Sequence, residues 1–263
     1  MLPFGITDLE FSLVTFVSAF LGISLVIVIS KRIGAKLIAG FALGVYLWFF
    51  TDTLAGANYL DVNNGFSLSA GLVSLVLLFV VGLVVFFGIG GNIFSGDSAG
   101  ATGIFVALLA ALALGLHGMA EGGDFGFTAS QTPSSSLLDA FGGVAPSVSW
   151  VLHKMLEPTI AAACYVAITG TGSKSNSAKL VDALALSAVF VAPAVVGSIA
   201  GYYAPFDTTY VYALGLGTSV YALARVGRAL YSAGGSQSWL SLKIAVAVAL
   251  GFLFIFISAL LHS

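Results

Sequence analysis

Uncharged apolar runs long enough to form membrane-crossing helices recur from one end of this chain to the other. A helix rises about 1.5 Å per residue and a bilayer's hydrocarbon core is about 30 Å thick, so each crossing takes roughly 20 such residues. Of the 263 residues, 59% are hydrophobic and only 8% are charged, against about 25% charged in soluble domains. So few charges cannot cover the water-facing surface of a chain this size, so the chain belongs in lipid.

The apolar pattern predicts eight spans: Asp8 to Ser30, Ala35 to Leu54, Ser67 to Gly90, Ala101 to about Glu121 or beyond, Pro146 to Thr169, Ala178 to Tyr203, Thr208 to Arg228 and Leu240 to Leu261. The connections are short and rich in Gly, Ser, Asn and Asp, as turns are. None marks a second domain. The expected fold is all-α and polytopic: one transmembrane domain over 1–263, with eight helices in a bundle. The start, "MLPFGITDLEF", lacks the basic region of a signal peptide, so the first run is expected to be a retained helix.

Charge orients the bundle. Lys31, Arg32, Lys36, Lys174, Lys179, Arg225, Arg228 and Lys243 all fall at loops that eight spans place on one side. Positive charge collects in cytoplasmic loops, so that side is expected to be the cytoplasm and both termini to face outward. Asp8, Glu10, Asp61, Asp139 and Asp207 fall on or near the outer side. The expected setting is a multi-pass protein of the cell membrane, with the lipid bilayer as partner and room for a homo-oligomer. The net charge of −2 and the lack of a clustered basic arm give no reason to expect nucleic acid. A single cysteine, Cys164, excludes an internal disulfide or a multi-cysteine metal site. It reads as a small buried residue. The glycines within spans read as close helix packing.

Ionisable groups inside a span are expensive and point to function. They are Asp52, His117, Glu121, Asp124, His153, Lys154 and Glu157. Asp182 and His262 read as interfacial. Two stretches echo each other: "LHGMAE" at 116–121 and "LHKMLE" at 152–157. Each puts a histidine and a glutamate four residues apart, on one helix face. If the two helices are neighbours, two imidazoles and two carboxylates can converge on one divalent ion. The bland alternative is that the pairs simply tie two helices together. Met119 and Met155 read as packing. Pro158 should kink the fifth span and free the Lys154 carbonyl. Lys154 itself is balanced between reaching for the outer surface and pairing with Glu157, which would partly withdraw that carboxylate from a metal.

These motifs resemble those of the ZIP family (zinc/iron permease type) of divalent-metal transporters. "LHGMAEGGDFG" is similar to that family's fourth helix and "LHKMLEPTIAAA" to its fifth. "GFALGVYLWFFTDTLAGA", "FVAPAVVGSIAGYY", "YALGLGTSVYALARVGRAL" and "LGFLFIFISALLH" resemble its second, sixth, seventh and last. The resemblance implies eight helices with both termini outside, and a first metal site at His117, Glu121, His153 and Glu157. It also implies that a second site is lost, because its ligand positions are Gly118, Lys154 and Ala192 here. A lysine then stands where a second cation would sit, and one metal is expected, with Lys154 as a tethered substitute charge. The motif prolines are displaced too: Ala120 and Leu156 stand there, and Pro158 follows late.

The resulting expectation is a transporter, not an enzyme. It would carry a divalent transition metal, zinc first, with iron, manganese, cobalt or cadmium as alternatives, and have no resident cofactor. Asp52 and Asp124 would guide the ion inward as accessory residues. Two alternatives stand beside it: a membrane protein that binds metal as a sensor or scaffold without moving it, and an intramembrane metal-dependent hydrolase. The second lacks a His-Glu-x-x-His motif and an evident general base.

Overall fold

A computed structural model describes residues 4–57, 70–93, 101–132, 136–170, 175–232 and 241–260. Asp61, Lys174, His262 and residues 67–69 lie outside them. The described residues form helices and connecting turns: α1 (Phe4–Ile29), α2 (Ala35–Gly56), α3 (Ala70–Ile93), α4 (Ala101–Gln131), α5 (Leu137–Ala140), α6 (Val144–Leu156), α7 (Thr159–Thr169), α8 (Asn176–Tyr203), α9 (Thr208–Ser232) and α10 (Leu242–Ala259). Seven stretches are long and apolar enough to cross a membrane, with α6 and α7 together making one of them. The remaining long helix, α9, is more polar and is not among the seven.

The burial pattern is that of a bundle solvated by lipid. On α1, Leu9, Leu13, Val17, Leu21 and Leu25 are exposed, while Thr7, Thr15, Ser18, Ala19 and Gly22 are buried. The outward face is large and apolar, while the inward face mixes small and hydroxylated residues with Phe11, Ile23, Val26 and Ile27. That suits a solvent of hydrocarbon, where association rests on close backbone approach rather than on hiding apolar surface. A long, close seam joins α4 to α8. A methyl on Gly122 would strike the Ala194 carbonyl, and one on Gly197 would strike the Met119 carbonyl. Glycine is therefore required on both sides of that seam.

The helix ends follow from local chemistry. Ser175 caps α8 by accepting from the Ala178 amide at 3.2 Å, and Ser241 caps α10 by accepting from the Ile244 amide at 3.4 Å. Gly142 and Gly143, at φ 86° and 119°, make the turn between α5 and α6 that a side chain would strain. Pro158 has no amide hydrogen to continue the ladder. At the expected kink the hydrogen-bond ladder is interrupted: α6 ends at Leu156 and α7 begins at Thr159, while Glu157 and Pro158 between them keep right-handed backbone angles (φ −53°, ψ −50° and φ −71°, ψ −6°).

Contacts tie the helix ends together by charge type. Lys31 Nζ donates to Asn176 Oδ1 at 3.3 Å, joining the α1–α2 turn to the start of α8. At the opposite end, Ser198 donates to Asp8 at 2.6 Å and Thr208 donates to Asp124 at 3.0 Å. The molecule thus has a basic end and an acidic end. The fourth span, expected to reach about Glu121 or beyond, continues as α4 to Gln131.

Candidate metal centre

His117 and Glu121 lie one turn apart on α4, and both turn inward because the opposite face of α4 is committed to α8 through Gly115, Gly122 and Gly126. The buried Phe49 of α2 meets the His117 imidazole edge-on, with centroids 4.5 Å apart. The α9 backbone comes so close that a methyl on Gly215 would lie 2.8 Å from His117 Cα. His117 Nδ1 donates to the Leu114 carbonyl of its own helix. This bond fixes the ring and turns Nε2 toward the α6–α7 break.

Glu157 arrives from that break and is fully buried. Its Oε1 lies 3.0 Å from His117 Nε2 and 2.9 Å from His153 Nε2. Glu121 Oε2 lies 3.5 Å from His117 Nε2. Ligand atoms at Zn–N and Zn–O distances of about 2.0–2.2 Å in a tetrahedron are roughly 3.3–3.5 Å apart. The spacings around Nε2 are of that size. One donor atom each from His117, Glu121 and Glu157 lies within 4.8 Å of the others, a group that can hold a metal ion.

The two echoed motifs therefore meet, though not as four equal donors. His153 is bonded to Glu157 and stands outside the three-residue group. His117 lies near the middle of α4 and Glu157 near the middle of the α6–α7 column, with Glu121 and His153 toward the acidic end.

Lys154 does not reach for the surface. It is 1% exposed, and its Nζ donates to Glu121 Oε2, to Glu157 Oε2 at 2.6 Å and to His117 Nε2 at 3.3 Å. One ammonium against two carboxylates leaves one negative charge unmatched in a buried place, which is costly. A further positive charge, a metal ion or an imidazole proton, completes the balance.

The group is approached from the acidic end through a cavity of about 670 Å³ whose wall includes Asp52, Asp124, Glu121 and His153. Asp52 and Asp124 lie in the cavity wall, not in the metal group. Asp124 accepts from Thr208 at 3.0 Å and from Tyr212 at 3.4 Å. Toward the basic end the group is backed by buried apolar residues, among them Ala110, Leu114, Ile160, Ala161 and Phe190, and an apolar cavity of about 550 Å³ extends from Ile33 and Lys243 to Leu156 and Thr159. The α8 position expected to carry a second-site ligand, Ala192, is exposed; the α8 residue beside Gly118 is Ala194. Neither supplies a donor.

Sequence reasoning passed over Trp150, whose ring lies 5.0 Å from Lys154 Nζ. Its place four residues before Lys154 was the available signal. Nothing in the sequence marked Phe49, Thr208 or Tyr212.

Comparison with known proteins adds no identity: no protein-family model matches the chain, and no curated protein matches it.

Proposed function

We propose that this protein is a divergent ZIP-family transporter that carries a single divalent transition-metal ion, zinc first, across the membrane in which it sits. In this reading α9 is the eighth span, both termini face outward and the basic end faces the cytoplasm. The ion comes from the acidic end past Asp52 and Asp124, meets His153 and Glu121 at the bottom of the cavity, and settles between His117, Glu121 and Glu157. The observation that carries the reading is a buried donor group reached by an acid-lined cavity from one end of the bundle and backed by apolar residues toward the other. That asymmetry is what a carrier needs in one of its two alternating states. Release would follow from rocking of one helix group against another, opening a path toward the basic end.

The α6–α7 break suits this role. Irregular backbone at membrane depth is tolerated where it is buried in protein or lines a cavity, and here it delivers Glu157 to the ion. Zinc or cadmium uptake into vesicles bearing the protein is the test. Saturable uptake that disappears when His117→Ala and His153→Ala are combined supports the proposal; uptake unchanged by that double substitution overturns it.

A second reading, binding without transport, is favoured by one observation: Lys154 occupies the donor group and ties α6 to α4, as a static scaffold would have it. Stoichiometric binding without flux would decide for it. A hydrolase reading has less support, because the sequence has no His-Glu-x-x-His motif.

A further inference from the structure

An ammonium group already stands among the ligands of the proposed metal. Lys154 Nζ bonds both carboxylates and approaches His117 Nε2 to 3.3 Å. An ion bound about 2.0–2.1 Å from Nε2 would take the same space, so Nζ and a metal cannot occupy the group together. The ammonium must have somewhere to go that is neither lipid nor the metal.

Two rings are in reach of Nζ where it rests between the carboxylates: Phe190, with its centroid at 6.0 Å, and, one helical turn before Lys154, Trp150 at 5.0 Å. The nearer, Trp150, is the one toward which Nζ can withdraw. The ring is held in place: Nε1 donates to Thr15 Oγ1 at 3.1 Å, and Phe11 and Phe141 pack on it with centroids at 5.3 Å. Trp150 also lines the cavity, so an ammonium over its face stays near the acidic end and close to water. A tryptophan face is the strongest aromatic seat for a cation.

Resting on the metal-binding reading, we infer that Lys154 is an internal cation that the transported ion has to displace, and that Trp150 receives the displaced ammonium. The pair then sets the charge selectivity of the site. A monovalent ion offers the carboxylates no more charge than the ammonium already there, and forms weaker bonds to imidazole. It has no electrostatic reason to replace Nζ. A divalent ion brings twice the charge and prefers the histidine nitrogen, so it can. Lys154 thereby keeps the abundant monovalent cations out of a site that carries two carboxylates.

The experiment measures zinc binding to the purified full-length protein, by titration calorimetry in detergent with and without excess sodium. It compares wild type, Lys154→Met, Trp150→Leu and the double variant. Removing the ammonium's repulsion at a few ångströms should tighten zinc binding at least about tenfold in Lys154→Met, and sodium should then compete where it does not in wild type. Trp150→Leu should weaken zinc binding about two- to thirtyfold in the Lys154 background and leave it unchanged with Lys154→Met. Zinc binding that is no tighter in Lys154→Met, or a Trp150→Leu effect equal in both backgrounds, overturns the inference while leaving the metal site standing. Absence of zinc binding in every protein overturns the metal reading and the inference with it. If Lys154→Met does not fold, the emission of Trp150, read with Trp48→Phe and Trp239→Phe, decides: zinc should change it in the Lys154 protein and not with Lys154→Gln. An equal response in both, or none in either while zinc binds, overturns the inference.

Discussion

Glu157→Gln removes one charge from the centre of the buried group while keeping its shape. Glu157 Oε2 accepts from Lys154 at 2.6 Å, and Oε1 lies 3.0 and 2.9 Å from the two histidines. Glu121 still engages Nζ in the variant, so no uncompensated charge is left, and the loss is that of hydrogen bonds to a charged group, about 1.5–3 kcal/mol. At about 2–4 °C per kcal/mol for chains of 150–250 residues, the variant should melt roughly 3–12 °C below wild type in the same detergent without metal. Zinc sharpens the test. A ligand at a hundred times its dissociation constant stabilises by about 2.7 kcal/mol. Wild type should gain that, and the variant, missing a carboxylate ligand, should gain little. Thermal melts with and without zinc measure both effects. A variant that melts within about 2 °C of wild type, and gains as much from zinc, would refute the assignment of Glu157 as both ion-pair partner and ligand.

Other outcomes follow from the packing and the charge pattern. Gly122→Leu forces a side chain against the Ala194 carbonyl and should destabilise by more than the about 1–3 kcal/mol usual for overpacking, read as a lower melting temperature. Asp124→Asn should slow metal uptake most at low ionic strength, because a charge at the cavity wall acts through the long-range field; initial uptake rates against salt check this. Cysteines placed at Lys31 or Lys179 should react only with reagent on the cytoplasmic side, and one at Asp207 only from outside. The background is low because the native Cys164 is buried.

Apolar run length, which is all that lipid imposes, made the helices legible in the sequence with most of their limits. The convergence of "LHGMAE" and "LHKMLE" was legible too, because the i, i+4 spacing puts each His and Glu on one face. What escaped was set by tertiary contact. The end of the fourth span stood only as about Glu121 or beyond; α4 continues to Gln131 because Gly122 and Gly126 allow its backbone to lie against α8. Lys154 could not be resolved from spacing, since Glu157 was in reach on its own helix while Glu121 on α4 came into reach only through folding. Ala192 was assigned to the inner face of α8, where residue 194 actually points to α4. Trp150 stood one turn from Lys154 throughout, but its packing onto Phe11 and Phe141 joins three segments distant in sequence.

The most direct measurement is zinc accumulation by the purified protein in sealed liposomes, counted as ions trapped per chain against time. The account predicts saturable accumulation far beyond one ion per chain, lost in Glu157→Gln and in His117→Ala. A plateau at one ion per chain, or accumulation indifferent to both substitutions, would contradict it.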